Sequence, residues 1–175
     1  IKKKPSRPAA FNAFILIMAA GIIGVFFSND LLTLYIFWEI AVLGSFLIVP
    51  MGKEDSKKAA VIYAVTSAIG SYMYLFATFS IYNKYGVLDF DQVSRFLLNE
   101  PSNLFKWFVI SFIASAGIAK SGIFPLHTWL RITHGNAPDA FSAILSGQLV
   151  KMGSYVLAIS LSVFPSTKLL ASFYS

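Results

Sequence analysis

Three ionisable side chains stand inside stretches that are otherwise almost free of charge: Glu39 in LYIFWEI, Lys120 in GIAKSGIF and Lys151 in SGQLVKMGSY. In hydrocarbon each opposes insertion by about 2.5–3.5 kcal/mol, so a sequence that keeps three has a use for them. The residue types suit a proton relay. Burial disfavours the charged form of an acid or an amine and opposite-charge pairing favours it, so a pair that is made and broken alternates between holding and releasing a proton. A structural ion pair fixing helix packing is the alternative; it accounts for Glu39 with Lys120 but leaves Lys151 without an acid in this chain. Glu39 and Lys151 lie too deep in their runs to reach a headgroup, so both are expected to face the bundle interior.

The stretch GIAKSGIFPLH adds Gly122 and Pro125 directly after Lys120. Both weaken the helix, the proline by removing a backbone donor and clashing with the carbonyl four residues back, near Ser121, so the helix is predicted to break between about Lys120 and Pro125. Within a membrane such a break is tolerated only against protein or water, and water beside a buried lysine can exchange protons with it. His127 and His134 are seven apart, one face of a continuous helix. A haem or metal pair is disfavoured because Gly135 and Pro138 signal the segment's end; proton uptake suits two imidazoles better, with interfacial hydrogen bonding as the plain alternative. There is no cysteine, which excludes thiolate metal sites and iron–sulfur clusters within the chain. No GxGxxG after a strand and no Walker loop is present, so no cofactor, metal site or catalytic centre is expected here.

The elements that must position these groups follow from composition. With 57% hydrophobic and 13% charged residues, 175 residues cannot clothe a water-soluble domain. Five apolar runs, 9–28, 31–51, 59–82, 104–130 (broken near 120–125) and 140–164, are each long enough to cross about 30 Å of hydrocarbon. The expected fold is an all-α membrane protein, a five-transmembrane-helix bundle with one broken helix, flanked by a basic arm over 1–8 and a tail over 165–175. The first run is followed by four more and shows no cleavage site, so it reads as a span rather than a signal peptide. Asp30 is placed to cap the second helix, making the first two an antiparallel hairpin. In the long connection from Asn83 to Asn103, the spacing of Phe90, Val93, Phe96 and Leu97 predicts a short interfacial helix.

Lys2, Lys3, Lys4, Arg7, Lys53, Lys57, Lys58 and Arg131 fall in the arm, second loop and fourth loop, which share a side. The positive-inside rule puts that side, with the N-terminus, in the cytoplasm or matrix. The net charge of +6 flanks spans. It serves topology and lipid headgroups, not nucleic acid.

LLTLYIFWEI, KSGIFPLHTWL and HGNAPDAFSAILSGQLVKMG, in that order, resemble the antiporter-like proton-conducting subunits of complex I, of Mrp Na+/H+ antiporters and of membrane-bound hydrogenases. The resemblance runs from about Asn29 to Gly153, and SAILSG with VKMG is closer to the hydrogenase and middle complex I versions. It implies the first of two inverted five-helix repeats, with Glu39 and Lys120 as the ion-paired switch and Lys151 as the next station. His127 lies in the FPLHTWL motif, and His134 lies where the family often has a histidine near the input mouth. Arg131, Ile132 and Thr133 stand where the family usually has Pro-Asp-Ala. The implied host is a redox-driven complex in a bacterial or archaeal plasma membrane or a mitochondrial inner membrane. Its other membrane subunits would include a chain supplying the second repeat. A structural module without transport and a Na+/H+ antiporter subunit are the alternative functions.

Overall fold

The computed structural model describes residues 8–163, and the described chain is helices joined by turns and loops, with an isolated Asp30–Asp89 bridge in place of any strand. The basic residues Lys2, Lys3, Lys4 and Arg7 and the 165–175 tail lie outside the described residues. Helix α1 (Pro8–Phe27) turns at once into α2 (Leu31–Ile48), which continues as a 3-10 turn over Val49–Met51. Asp30 caps α2 by accepting from the Thr33 amide at 2.8 Å. The hairpin is tight because Gly21 leaves no side chain between the backbones; a Cβ there would lie 2.4 Å from the Ala41 nitrogen.

Helix α3 (Ser56–Tyr85) is the longest, and α4 (Phe90–Asn99) is short and amphipathic. It buries Val93 and Leu97 while leaving Phe96 and Leu98 exposed. Helix α5 (Asn103–Ser121) stops well before Leu130, and the remainder of that apolar run becomes a loop and a separate helix, α6 (Thr128–Asn136). Helix α7 (Asp139–Ile144) passes through a π-helical turn over Leu145–Leu149 into α8 (Val150–Val163). Among the described residues, five helical segments are long and apolar enough to cross a membrane: Pro8–Phe27, Leu31–Met51, Ser56–Tyr85, Asn103–Ser121 and Asp139–Ser160.

Loop contacts define two ends of the bundle. At one, the Lys53 amide donates to the Asn136 carbonyl at 2.8 Å and the Lys53 ammonium to the Gly135 carbonyl at 3.1 Å. At the other, the Leu31 amide donates to Leu88 and the Phe90 amide to Asn29, at 3.0 and 3.2 Å. Here Lys84 pairs with the buried Glu100 carboxylate at 2.7 Å, and Tyr85 and the Ser102 amide donate to the same carboxylate. The ion pair and the hydrogen bond from Tyr85 hold Glu100 at a pKa of about 2.

Candidate functional site

The site is built where α5 ends. Gly122 takes the left-handed conformation, φ 64° and ψ 35°, which an L side chain adopts only at a cost. Its amide reaches back to Ala119, and the Ile123 amide bonds the Ile118 carbonyl at 3.2 Å, a Schellman-type stop. The glycine therefore ends the helix before the proline is reached. Pro125, joined to Phe124 by a cis peptide, lies exposed in the connecting loop, so the expected clash near Ser121 is not what breaks the helix. Trp129, from beyond the break, donates its indole N–H to the Ala119 carbonyl at 2.8 Å, a second donor on the oxygen that already accepts from the Gly122 amide.

Lys120, one residue after that carbonyl, is 1% exposed. Its ammonium donates to the phenol oxygen of Tyr63 on α3 at 2.9 Å and lies 4.9 Å from the centre of the same ring. Tyr63 in turn meets Ser45 Oγ on α2 at 2.5 Å, and its ring packs at 5.3 Å against Trp129. Three helices and the far side of the break thus converge on one lysine.

Glu39 is half-buried, and its Oε1 is closed off from solvent without a hydrogen-bond partner. It does not pair with Lys120 in this arrangement; among the described residues the one ion pair within 4.0 Å is Lys84–Glu100. The ammonium is turned to a neutral hydroxyl of α3 instead.

Lys151 corrects the expectation more sharply. It is exposed on α8, not turned into the bundle. The reason is which face of α8 docks: Met152, Gly153, Val156 and Ser160 are buried, and a Cβ on Gly153 would lie 2.5 Å from the Ser121 nitrogen. Fixing that face against the end of α5 turns Lys151, Ser154 and Ala158 outward. Depth in a span shows that a lysine avoids lipid, not that the covering protein belongs to the same chain.

The two histidines do not share a continuous helix, because α6 begins at Thr128. His127 precedes it with a buried, unpartnered Nδ1, and its ring lies 5.8 Å from that of Phe124. His134 sits in the last turn of α6 with Nδ1 2.5 Å from Ser142 Oγ, one residue from the Gly135 carbonyl that binds Lys53. Neither is hydrogen-bonded to Lys120.

Tyr63, Ser45 and Trp129 were not singled out from sequence, although a signal was there. Tyr63, Ser67, Ser71, Tyr74 and Thr78 recur every three or four residues along α3, and all are buried. In a membrane span, a polar stripe at helical spacing marks the interior face.

An all-helical bundle of five apolar helices, with a lysine buried at an interrupted helix, defines the class: an antiporter-like membrane subunit. The chain belongs to the family described as NADH:quinone oxidoreductase/Mrp antiporter, TM, whose model matches residues 28–174. It is 35% identical over 153 residues to NAD(P)H-quinone oxidoreductase chain 4 3 of Picosynechococcus sp., covering 86% of this chain and 28% of that protein. A chain of the membrane-bound sulfane sulfur reductase, an archaeal respiratory membrane complex, superposes with TM-score 0.83 at 28% identity, over 97% of this chain and 27% of that one. For respiratory complex I from Thermus thermophilus the TM-score is 0.74 at 25% identity, over 88% and 34% of the two chains. The chain thus spans under a third of the length of the curated relatives it matches.

Proposed function

We propose that this chain carries the first five-helix half of a proton-translocating subunit in a redox-driven membrane complex, and that Glu39, Lys120 and Lys151 are its relay. The observation that carries the reading is Lys120: a fully buried ammonium, at a helix interruption, held by a neutral hydroxyl instead of an acid. A purely structural lysine gains most from a permanent carboxylate partner. A relay lysine needs an alternative resting place, and the unpartnered Glu39 oxygen supplies the other one.

Lys151 is then the next station, and its exposed face on α8 requires cover from another protein segment, because a lysine in the middle of a span does not face lipid. A second five-helix repeat, on this or another chain, suits that place. His134, beside the end where Lys53 meets Gly135, and His127, at the start of α6, suit proton uptake from the aqueous phase. The lysine-rich loops assign that end, with the N-terminus, to the cytoplasm or matrix. The membrane would be a bacterial or archaeal plasma membrane or a mitochondrial inner membrane, and the partners other membrane subunits of the complex.

The test is proton uptake by sealed vesicles holding the intact complex, with subunit content checked, for Lys120→Arg, Lys120→Met and Glu39→Gln. Arginine keeps the charge but hardly ever releases its proton. Loss of uptake in Lys120→Arg with normal assembly is expected; wild-type uptake in that variant overturns the relay.

A further inference from the structure

Building on the relay reading, we infer that Tyr63 is a positioning residue for Lys120, a neutral dock that holds the lysine whenever it is not paired with Glu39.

The direction of every hydrogen bond in the row follows from counting protons. An ammonium has donors and no acceptor, so in the 2.9 Å contact Tyr63 must accept. Its single phenolic proton then goes to Ser45 Oγ at 2.5 Å. Ser45 likewise has one proton, and the carbonyls of Ala41 and Val42 lie 2.8 and 2.9 Å away. The row therefore runs from ammonium to phenol to hydroxyl to a helix carbonyl, each donor polarising the next. Lys120, Tyr63 and Ser45 are 1%, 0% and 0% exposed, so no bulk water competes for any of the three. The row ends on α2, the helix that carries Glu39.

A phenol differs from a carboxylate in what it can do after the lysine gives up its proton. A neutral amine has a lone pair, and the Tyr63 hydroxyl can turn its proton toward it while Ser45 turns its own toward the phenol oxygen. The contact survives with its direction reversed. Ionised Glu39 accepts and cannot donate, so it holds the cation well and the amine poorly. The two partners thus divide the work: the carboxylate favours the charged lysine, and Tyr63 keeps the side chain in place in either state. Trp129 fixes both parts of the contact, since it packs on the Tyr63 ring and bonds the carbonyl immediately before Lys120.

The test uses the intact complex in sealed vesicles and reads proton uptake per electron transferred, with subunit content and thermal midpoint measured in parallel. Tyr63→Phe keeps the ring against Trp129 and under the ammonium and removes only the hydroxyl. A fall of about tenfold in uptake per electron is expected, the scale of one hydrogen bond to a charged group, with electron transfer and subunit content retained. Ser45→Ala should lower uptake in the same sense and Ser45→Thr, which restores a hydroxyl, should recover it. Wild-type uptake in Tyr63→Phe overturns the inference. So does loss of the subunit in Tyr63→Phe when Ser45→Ala assembles and pumps normally, because the tyrosine is then merely structural. Lys120→Met separates the two claims: if it pumps normally the relay reading itself fails, whereas if it fails and Tyr63→Phe does not, only the dock is lost.

Discussion

Gly122 carries more of the site than its size suggests. Its left-handed backbone ends α5 one residue after the buried lysine's neighbour Ser121, and any L side chain there pays about 1–2 kcal/mol. Gly122→Ala is therefore expected to lower the thermal midpoint of the subunit within the purified complex. Gly122→Asn should lower it less, because asparagine tolerates that conformation. A midpoint unchanged in Gly122→Ala would mean that the helix stop is imposed from elsewhere. Trp129→Phe tests the other support: it keeps a ring beside Tyr63 but leaves the Ala119 carbonyl without its indole donor, a loss of about 1 kcal/mol by the same measurement.

Among the elements, α8 shows how small residues place large consequences. Gly153 meets the backbone of Ser121 so closely that a methyl group forces the helices apart, whereas a Cβ on Gly147 meets nothing within 4 Å. Gly153→Ala should destabilise by about 1–3 kcal/mol and deplete the subunit from the complex, and Gly147→Ala should not. Equal effects of the two on subunit content would remove the close α5–α8 approach as the cause.

At the far end of α3, Glu100 ties the connection between α4 and α5 to Lys84 and Tyr85. Its pKa falls from 4.5 to about 2 on folding, so the stabilisation is fully present above 4.5 and is lost as pH drops toward 2. Pepsin cleavage within residues 86–103 should rise over that window in the wild type. In Glu100→Gln it should be high throughout; a flat, low profile in the variant would show that the tie holds nothing.

The spans and the hairpin cap at Asp30 were legible because length, hydropathy and capping are local. The partner of Lys120 was not, since Lys120 and Tyr63 are joined only by how α3 and α5 pack. The facing of Lys151 was hidden for a related reason: the docking face of α8 is chosen by a glycine, which hydropathy does not register.

At the scale of the whole molecule, large apolar side chains face outward as well as inward. Val61, Val65, Ile69, Phe76 and Phe79 line the outward face of α3, while Ser67, Ser71 and Thr78 are buried. The loops at the two ends of α3 must then lie on opposite sides of the membrane. A membrane-impermeant thiol reagent on the cytoplasmic or matrix side is expected to label a cysteine at Glu54 and not one at Asn83. Both positions are exposed. The reverse labelling would invert the assignment of sides.

Helix α3 is also a lever. It runs unbroken over 30 residues, about 45 Å at 1.5 Å each, against about 30 Å of hydrocarbon, so it must lean or project. Lys84, clamped to Glu100, and Tyr63, bonded to Lys120, sit about 32 Å apart on that rod. A lean of about ten degrees about the clamped end carries the phenol sideways by about 5 Å, farther than a hydrogen bond is long. Helix α5, which carries Lys120, packs along the same rod at Phe108, Phe112 and Ala119, so a lean set by bilayer thickness carries phenol and lysine together.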